Sequence, residues 1–264
     1  MSFFSVKDIC AGYDRGHVIQ GISFDLEPGC LMGILGANGS GKTTLLKAIC
    51  GNLPHTGSAV LDDCVLETLS ARQIAKLCSY IPQRSGVTID ISVLDVVLMG
   101  FNPRLGLLEH PNSAMHAAAR EALARVGLSG KENRNYLHLS EGQKQLCILA
   151  RTLVADSKLL LLDEPESALD FRYRYRMLEI LRKWVGEKEH SAIVTLHDPF
   201  LALNYCDQLL LLSEGKVLGT IYPRVDSLDK MEQMLNKVYG QISLQVCKTR
   251  SGKSNLVMLK EDDL

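Results

Sequence analysis

One nine-residue stretch limits this chain more than any other: Gly36-Ala37-Asn38-Gly39-Ser40-Gly41-Lys42-Thr43-Thr44. It fits G-x-x-x-x-G-K-[ST], the pattern of a loop that wraps an anion with its backbone. Gly36, Gly39 and Gly41 place no side chain between the backbone and a ligand. Successive N–H groups then form a concave nest, and a helix starting near Gly41 aims its positive end at the same point. Lys42 is placed to reach the outer phosphates of a bound polyphosphate, and the Thr43 hydroxyl to ligate Mg²⁺. The flanks suit the loop. Cys30 to Leu35 is apolar like a buried strand, and Thr44 to Ile49 has helical character.

Acidic strand ends are the natural complement of such a loop. Leu159 to Leu162 is a continuous apolar run ending in Asp163-Glu164-Pro165, the pattern of a strand buried on both faces. Asp163 fits the position that holds Mg²⁺ through its shell in phosphate-loop enzymes. Strand alternation would send Glu164 to the opposite face, where it could take a proton from an attacking water. Two further apolar runs end in polar residues, Cys78 to Pro82 at Gln83 and Ser191 to Leu196 at His197. Exits of parallel strands are where α/β sheets collect ligands.

The rest of the chain supplies the frame. Phe3–Ile9 and Ile22–Leu26 have strand patterns, with Tyr13 between them as either an exposed loop aromatic or a platform for a purine. Ser70–Leu77, Ser92–Met99 and Ser113–Val126 have helical spacing. The segment Asn102–Pro111 between the last two is irregular and partly apolar, suited to core packing or to a partner. Ser140 with Gln143 three residues on forms a capping box for a helix through Ala155, which also exposes a second anion-binding helix start. A turn at Ser167–Asp170 leads into an arginine-rich helix. Gln208–Leu212 and Val217–Ile221 form a hairpin, Leu228–Val238 a helix, and Gln241–Val246 with Asn255–Leu259 a second small hairpin. Ser251-Gly252-Lys253-Ser254 imitates the end of a phosphate loop, but Cys247 stands where the first glycine belongs. Asn236-Lys237-Val238-Tyr239 lacks the aspartate of a guanine reader.

Composition narrows the remaining classes. A net charge of −1 gives no electrostatic footprint for nucleic acid. The eight cysteines form no C-x-x-C pair and are expected to be reduced core thiols of a cytoplasmic protein. Charges appear too early after Met1 for a signal peptide, and no apolar run nears the roughly 20 residues that span a bilayer.

Together these motifs resemble the ATP-binding subunit of ABC transporters over Phe3 to Ile221. The discriminating piece is Leu139-Ser140-Glu141-Gly142-Gln143, similar to the family's L-S-G-G-Q signature and lying shortly before the acidic strand. Gln83, Asp170 and His197 match its Q-, D- and H-loops in order, and Tyr13 matches its adenine-stacking aromatic. Glu141, in place of a glycine, and Leu146, where an arginine is common, depart from the pattern. The resemblance implies an α/β fold: a phosphate-loop NTPase core with a mixed sheet, an N-terminal antiparallel β subdomain and a helical insertion. It places an ATPase domain at 1–240, the insertion at about 85–157 and a short β extension at 241–264. It implies ATP and Mg²⁺, with Gly36, Asn38, Gly39, Ser40, Gly41, Lys42, Thr43, Thr44 and Tyr13 on the nucleotide. Thr43, Gln83 and Asp163 would organise the metal, Glu164 would polarise water, and His197 would contact the γ-phosphate. Two copies would meet head to tail, so that Ser140, Gly142 and Gln143 reach the partner's ATP and Asp170 couples the sites.

Tyr80-Ile81-Pro82-Gln83, Val93 to Gly100 and Leu169 to Tyr173 resemble importer ATPases of the iron-chelate, haem and cobalamin class. That implies a homodimer peripheral to the cytoplasmic face of the membrane, driving a separate permease and, through it, served by an extracytoplasmic binding protein. A soluble ABC ATPase in Fe–S assembly, repair or translation is the competing expectation, and a non-hydrolysing nucleotide-binding scaffold a third.

Overall fold

The computed structural model describes residues 3–14, 16–83, 86–106, 108–167, 169–187 and 190–261. Met1, Ser2, Ser85, Leu107, Ala168 and the last three residues, which some sequence expectations include, lie outside the described residues.

The chain begins with a long hairpin, β1 (Phe4–Tyr13) and β2 (Gly16–Leu26), then β3 (Leu31–Leu35) and α1 (Lys42–Ile49). β4 (His55–Leu61), β5 (Cys64–Val65), α2 (Ala71–Leu77) and β6 (Cys78–Ile81) follow. Three helices come next, α3 (Val93–Leu98), α4 (Ser113–Arg125) and α5 (Glu141–Val154), before β7 (Leu159–Leu162) and α6 (Phe171–Glu187). The remainder is β8 (Ser191–Thr195), α7 (Pro199–Tyr205), β9 (Gln208–Ser213), β10 (Lys216–Ile221), α8 (Leu228–Tyr239), β11 (Ile242–Lys248) and β12 (Ser254–Lys260).

A six-stranded sheet in the order β10-β9-β3-β8-β7-β6 forms the centre, parallel except for the β9–β10 hairpin. An antiparallel sheet, β2-β1-β4-β5, packs on one side. The fold is therefore the mixed α/β arrangement with an N-terminal antiparallel sheet. Side-chain alternation explains the layering. Leu31 and Leu35 of β3, Leu160 and Leu162 of β7, and Leu209 and Leu211 of β9 enter a core shared with α3 to α6. Their neighbours Met32, Ile34, Leu159, Leu161, Leu210 and Leu212 enter the opposite core, with α1 and the antiparallel sheet. Continuous apolar runs are what such two-sided burial demands.

The N-terminal strands run longer than the sequence pattern suggests. Register shifts between Val6 and Ile9 and again before Gly12 break the alternation that would have marked β1 to its end. The cysteine expectation needs amending: Cys30, Cys78, Cys147 and Cys206 are buried, but Cys64 and Cys247 are exposed and Cys10 and Cys50 are half-buried. All eight are free thiols, and burial pushes Cys30 and Cys147 up to about 12. The C-terminal hairpin packs Ile242, Leu244, Leu256 and Met258 on the core and adds polar contacts. The Asn204 side chain donates to Leu256 O and accepts from Leu256 N, each at 2.8 Å. Asn236, suspected of imitating a guanine reader, accepts from Ile242 N. Ser251 to Lys253 lie in the β11–β12 turn.

Candidate active site

The strand order places β3 between β8 and β9, with β7 and β6 beyond β8. Four carboxyl ends thus line up, each carrying one of the marked polar residues. Immediately after β3, residues 36–41 form the phosphate loop. A Cβ on Gly36 would stand 2.4 Å from Leu212 O and 2.6 Å from Ser40 Oγ, so only glycine lets the loop turn there. Gly41, at φ 102, ends the loop in the left-handed region.

The start of α1 differs from that of other helices. Side chains of Ser70, Ser92, Asn112, Ser140, Asp198 and Ser227 cap α2, α3, α4, α5, α7 and α8. Gly41 gives α1 no side-chain cap. The first N–H groups of α1 consequently remain available to an external anion. They open on a cavity of 160 Å³ lined by Val18, Asn38 to Thr44 and Glu164.

Lys42 is buried against this cavity, its Nζ donating to Gly36 O (3.0 Å) and Ala37 O (3.3 Å) and lying 3.8 Å from Glu164 Oε1. Desolvation pushes its pKa down, and Glu164, Asp163 and Glu166 oppose that shift. Asp163 is almost fully buried and accepts from three hydroxyls: Thr43 Oγ1 at 2.9 Å, Tyr80 OH at 3.1 Å and Thr195 Oγ1 at 3.2 Å. Burial and the Asp163 carboxylate push the Tyr80 phenol well up, keeping it a donor.

Glu164 corrects one sequence expectation. Alternation would have turned it away from Asp163, but β7 ends at Leu162 and Glu164 sits at φ 45. Its N–H donates to Thr195 Oγ1 at 2.7 Å. The side chain swings back to the same cavity, where Oε1 meets His197 Nε2 at 2.7 Å and Oε2 accepts from Gln83 Nε2 at 2.7 Å. Lys42, Thr43, Gln83, Asp163, Glu164 and His197 are thereby gathered at one place.

The other marked residues stand elsewhere. Ser140 caps α5, its Oγ accepting from Gln143 N and its own N–H donating to Gln143 Oε1, both at 3.4 Å. Glu141, the departure from the signature, is answered by Lys144 at 2.8 Å. A Cβ on Gly142 would meet the Tyr173 ring at 2.9 Å, so the glycine lets α5 lie close to α6. Leu146 is buried in the core beside α3 and α6. Asp170 caps α6, accepting from Tyr173 N at 3.0 Å. None of these lines the 160 Å³ cavity. Tyr13 closes β1 with its ring half-exposed under Lys47 Nζ, 5.9 Å from the centroid.

Sequence reasoning passed over Tyr80, Thr195 and Gln145. Tyr80 and Thr195 are strand residues whose hydroxyls matter only once β6, β7 and β8 are adjacent. Buried Gln145 donates to Gln83 O at 3.2 Å, joining α5 to the Gln83 segment.

Comparison with known proteins decides the family. The ABC transporter family model matches residues 19–167. The chain belongs to the ABC transporter family. The hemin import ATP-binding protein HmuV of Bordetella pertussis is 37% identical over 84% of this chain and 86% of its own length. The protein of the same name from Jannaschia sp. is 35% identical over 96% and 93%. A solved metal-chelate type ABC transporter, in an inward-facing conformation, superposes with a TM-score of 0.83 at 26% identity, covering 99% of both chains. Of the gathered residues, Lys42, Thr43, Gln83, Asp163 and Glu164 lie within the matched stretch and His197 beyond it. No helix among the described residues is long and apolar enough to cross a membrane.

Proposed function

We propose that this ABC subunit is a Mg²⁺-dependent ATPase that works as a homodimer to drive import through a separate permease. One observation carries the reading. Lys42, Thr43, Gln83, Asp163, Glu164 and His197 converge on the uncapped start of α1, while the signature helix α5 presents its own N-terminus elsewhere. A site divided in this way is completed by a second copy, whose Ser140, Gly142 and Gln143 reach the nucleotide held by the first, with Asp170 joining the two halves.

The roles follow from the geometry. Backbone N–H groups of Asn38 to Thr44 and the Lys42 ammonium grip the phosphates, and Tyr13 offers its half-exposed ring to the adenine. Thr43 and Asp163 would supply hard oxygen ligands suited to Mg²⁺, and Gln83, whose bond to Glu164 uses only its Nε2–H, could present its amide oxygen to the ion. Bound there, the ion neutralises developing phosphate charge. Glu164 accepts a proton from water as the water oxygen bonds to the γ-phosphorus and the β–γ bridge breaks to release ADP. His197 holds Glu164 and faces the γ-phosphate. Hydrolysis then removes the group that bridges the two copies.

The relatives' names favour import over a soluble role; haem and iron-chelate solutes fit those names, and a cobalamin type solute fits the sequence resemblance. The division into an ATPase domain at 1–240, an inserted helical part and a C-terminal β extension belongs to the same reading, as does a place at the cytoplasmic membrane face. A groove of 230 Å³ between α2 and the end of α5, lined by Ile74, Tyr80, Met99, Pro103 and Arg151, supports a docking surface for the permease. Arg72 ties the apolar loop to α2 through Pro103 O and Leu105 O, while Leu108 stays exposed.

Glu164→Gln tests the reading. Turnover is expected to vanish while ATP stays bound, and the mass in saturating ATP to double. A variant that still hydrolyses ATP, or stays monomeric with ATP bound, would refute the divided site. Co-purification of the wild type with a multi-span protein from solubilised membranes tests the transport half.

A further inference from the structure

The reaction scheme leaves one buried carboxyl group unused. Glu166 lies two residues beyond Glu164, and the carbonyl of each accepts from a backbone N–H three residues on. Ser167 N donates to Glu164 O at 3.1 Å and Leu169 N to Glu166 O at 3.0 Å. The Glu166 side chain is carried inward until only 1% of the residue is exposed. Its Oε1 accepts the backbone N–H of His197 at 2.9 Å.

That bond has a specific place. Leu196 N still donates to Ile34 O of β3, at 3.1 Å, so His197 carries the first amide beyond that ladder. Without Glu166 this amide would lose the partner that holds it beyond the sheet. A ring of contacts then closes: Glu164 through Pro165 to Glu166, across to His197 N, and back from His197 Nε2 to Glu164 Oε1.

Oε2 of Glu166 is buried with no hydrogen-bond partner. A charged carboxylate in such a place would be left half-solvated. Burial, with the Glu164 charge adding to it, pushes the Glu166 pKa up against the opposing His197 contacts. One acceptor oxygen, Oε1, is all the His197 amide needs.

We propose that Glu166 is a positioning residue for ATP hydrolysis, a clamp that fixes the His197 backbone so that its imidazole meets Glu164. The proposal rests on the reading of Glu164 and His197 as the catalytic pair. It differs from simple space-filling in what it demands of the side chain: an acceptor oxygen, with no need for charge.

Three variants separate these requirements. Glu166→Met keeps volume and removes the acceptor. Its kcat is expected to fall ~10–100-fold, the scale of a displaced reacting group, with KM for ATP unchanged because the phosphate loop is untouched. Glu166→Ala should behave alike. Glu166→Gln keeps a carbonyl acceptor and should return kcat to within ~3-fold of wild type. Wild-type kcat in the methionine variant, or equal losses in methionine and glutamine variants with KM rising in step, would overturn the proposal. Should the methionine and alanine variants not fold, hydrogen exchange at the His197 amide of the wild type decides: protection is required, and free exchange overturns the clamp. That measurement also stands if the wild type shows no turnover, which is the separate failure of the ATPase reading.

Discussion

Lys42→Met isolates the contribution of one charge, because methionine keeps most of the aliphatic stem. Without nucleotide the ammonium is confined by two carbonyls and a carboxylate at 3.8 Å, and burial already works against its charge. The empty variant should therefore melt within ~3 °C of wild type, the shift for about 1 kcal/mol in a chain of this size. With ATP the balance reverses. A cation about 4 Å from phosphate charge is worth roughly 4 kcal/mol at an effective dielectric of 20. Removing the desolvation of the lysine returns part of this, leaving a net loss of about 2–4 kcal/mol, or roughly 30- to 1,000-fold in affinity. Thermal shift reads this directly. At ATP equal to about 100 times the wild-type Kd, binding adds ~2.7 kcal/mol and raises the melting temperature by about 5–10 °C. With affinity cut ~100-fold, the same ATP only matches Kd, adding ~0.4 kcal/mol and about 1 °C. An upshift in Lys42→Met equal to that of wild type would remove Lys42 from the phosphate contact, and with it the assignment of the loop.

The Glu166 carboxyl predicts a pH signature. Its folded pKa is raised above the ordinary 4.5, so above that pH the unfolded chain releases a proton the native chain keeps, and stability falls until the folded group titrates. Urea midpoints of wild type and Glu166→Gln should therefore diverge as pH rises from about 4.5, in favour of the glutamine variant; parallel curves would contradict a raised pKa for Glu166, which faces Glu164, His197, Lys42 and Cys206. Asn204→Ala removes both bonds to Leu256 and should cost about 1–3 kcal/mol in the hairpin. Hydrogen exchange should quicken in β12 with β3 and β8 unchanged, and unaltered β12 protection would show that the hairpin is held by its apolar contacts instead.

What the sequence made legible is what the chain keeps local. Gly36 to Thr44 is one covalent stretch, and spacing alone puts its glycines, lysine and threonine in their places in the loop. Asp163 was legible for the same reason, as the end of an apolar run. Glu164 was found but turned the wrong way, because alternation holds only while a strand lasts and the backbone enters a left-handed turn at that residue. Thr195, Tyr80 and Gln145 were not legible. Their hydrogen bonds span 32, 83 and 62 positions, and only the strand order β3-β8-β7-β6 and the packing of α5 beside it bring these residues to their partners. Glu166 was hidden twice over. It looked like one more acid in an acidic turn, and only burial separates a clamp from a solvated charge.

The two helix starts the motifs singled out also differ in a way composition could not reveal. The start of α5 is already occupied by its own Ser140 and Gln143, through contacts of 3.4 Å that are long for hydrogen bonds. The start of α1 has no such internal partner. An anion should therefore settle first on α1, where it displaces no side-chain cap, and engage α5 only when a second copy brings that helix to it. That expected order rests on capping alone: the helix expected to bind first is the one whose start, Gly41-Lys42-Thr43, has no side-chain cap.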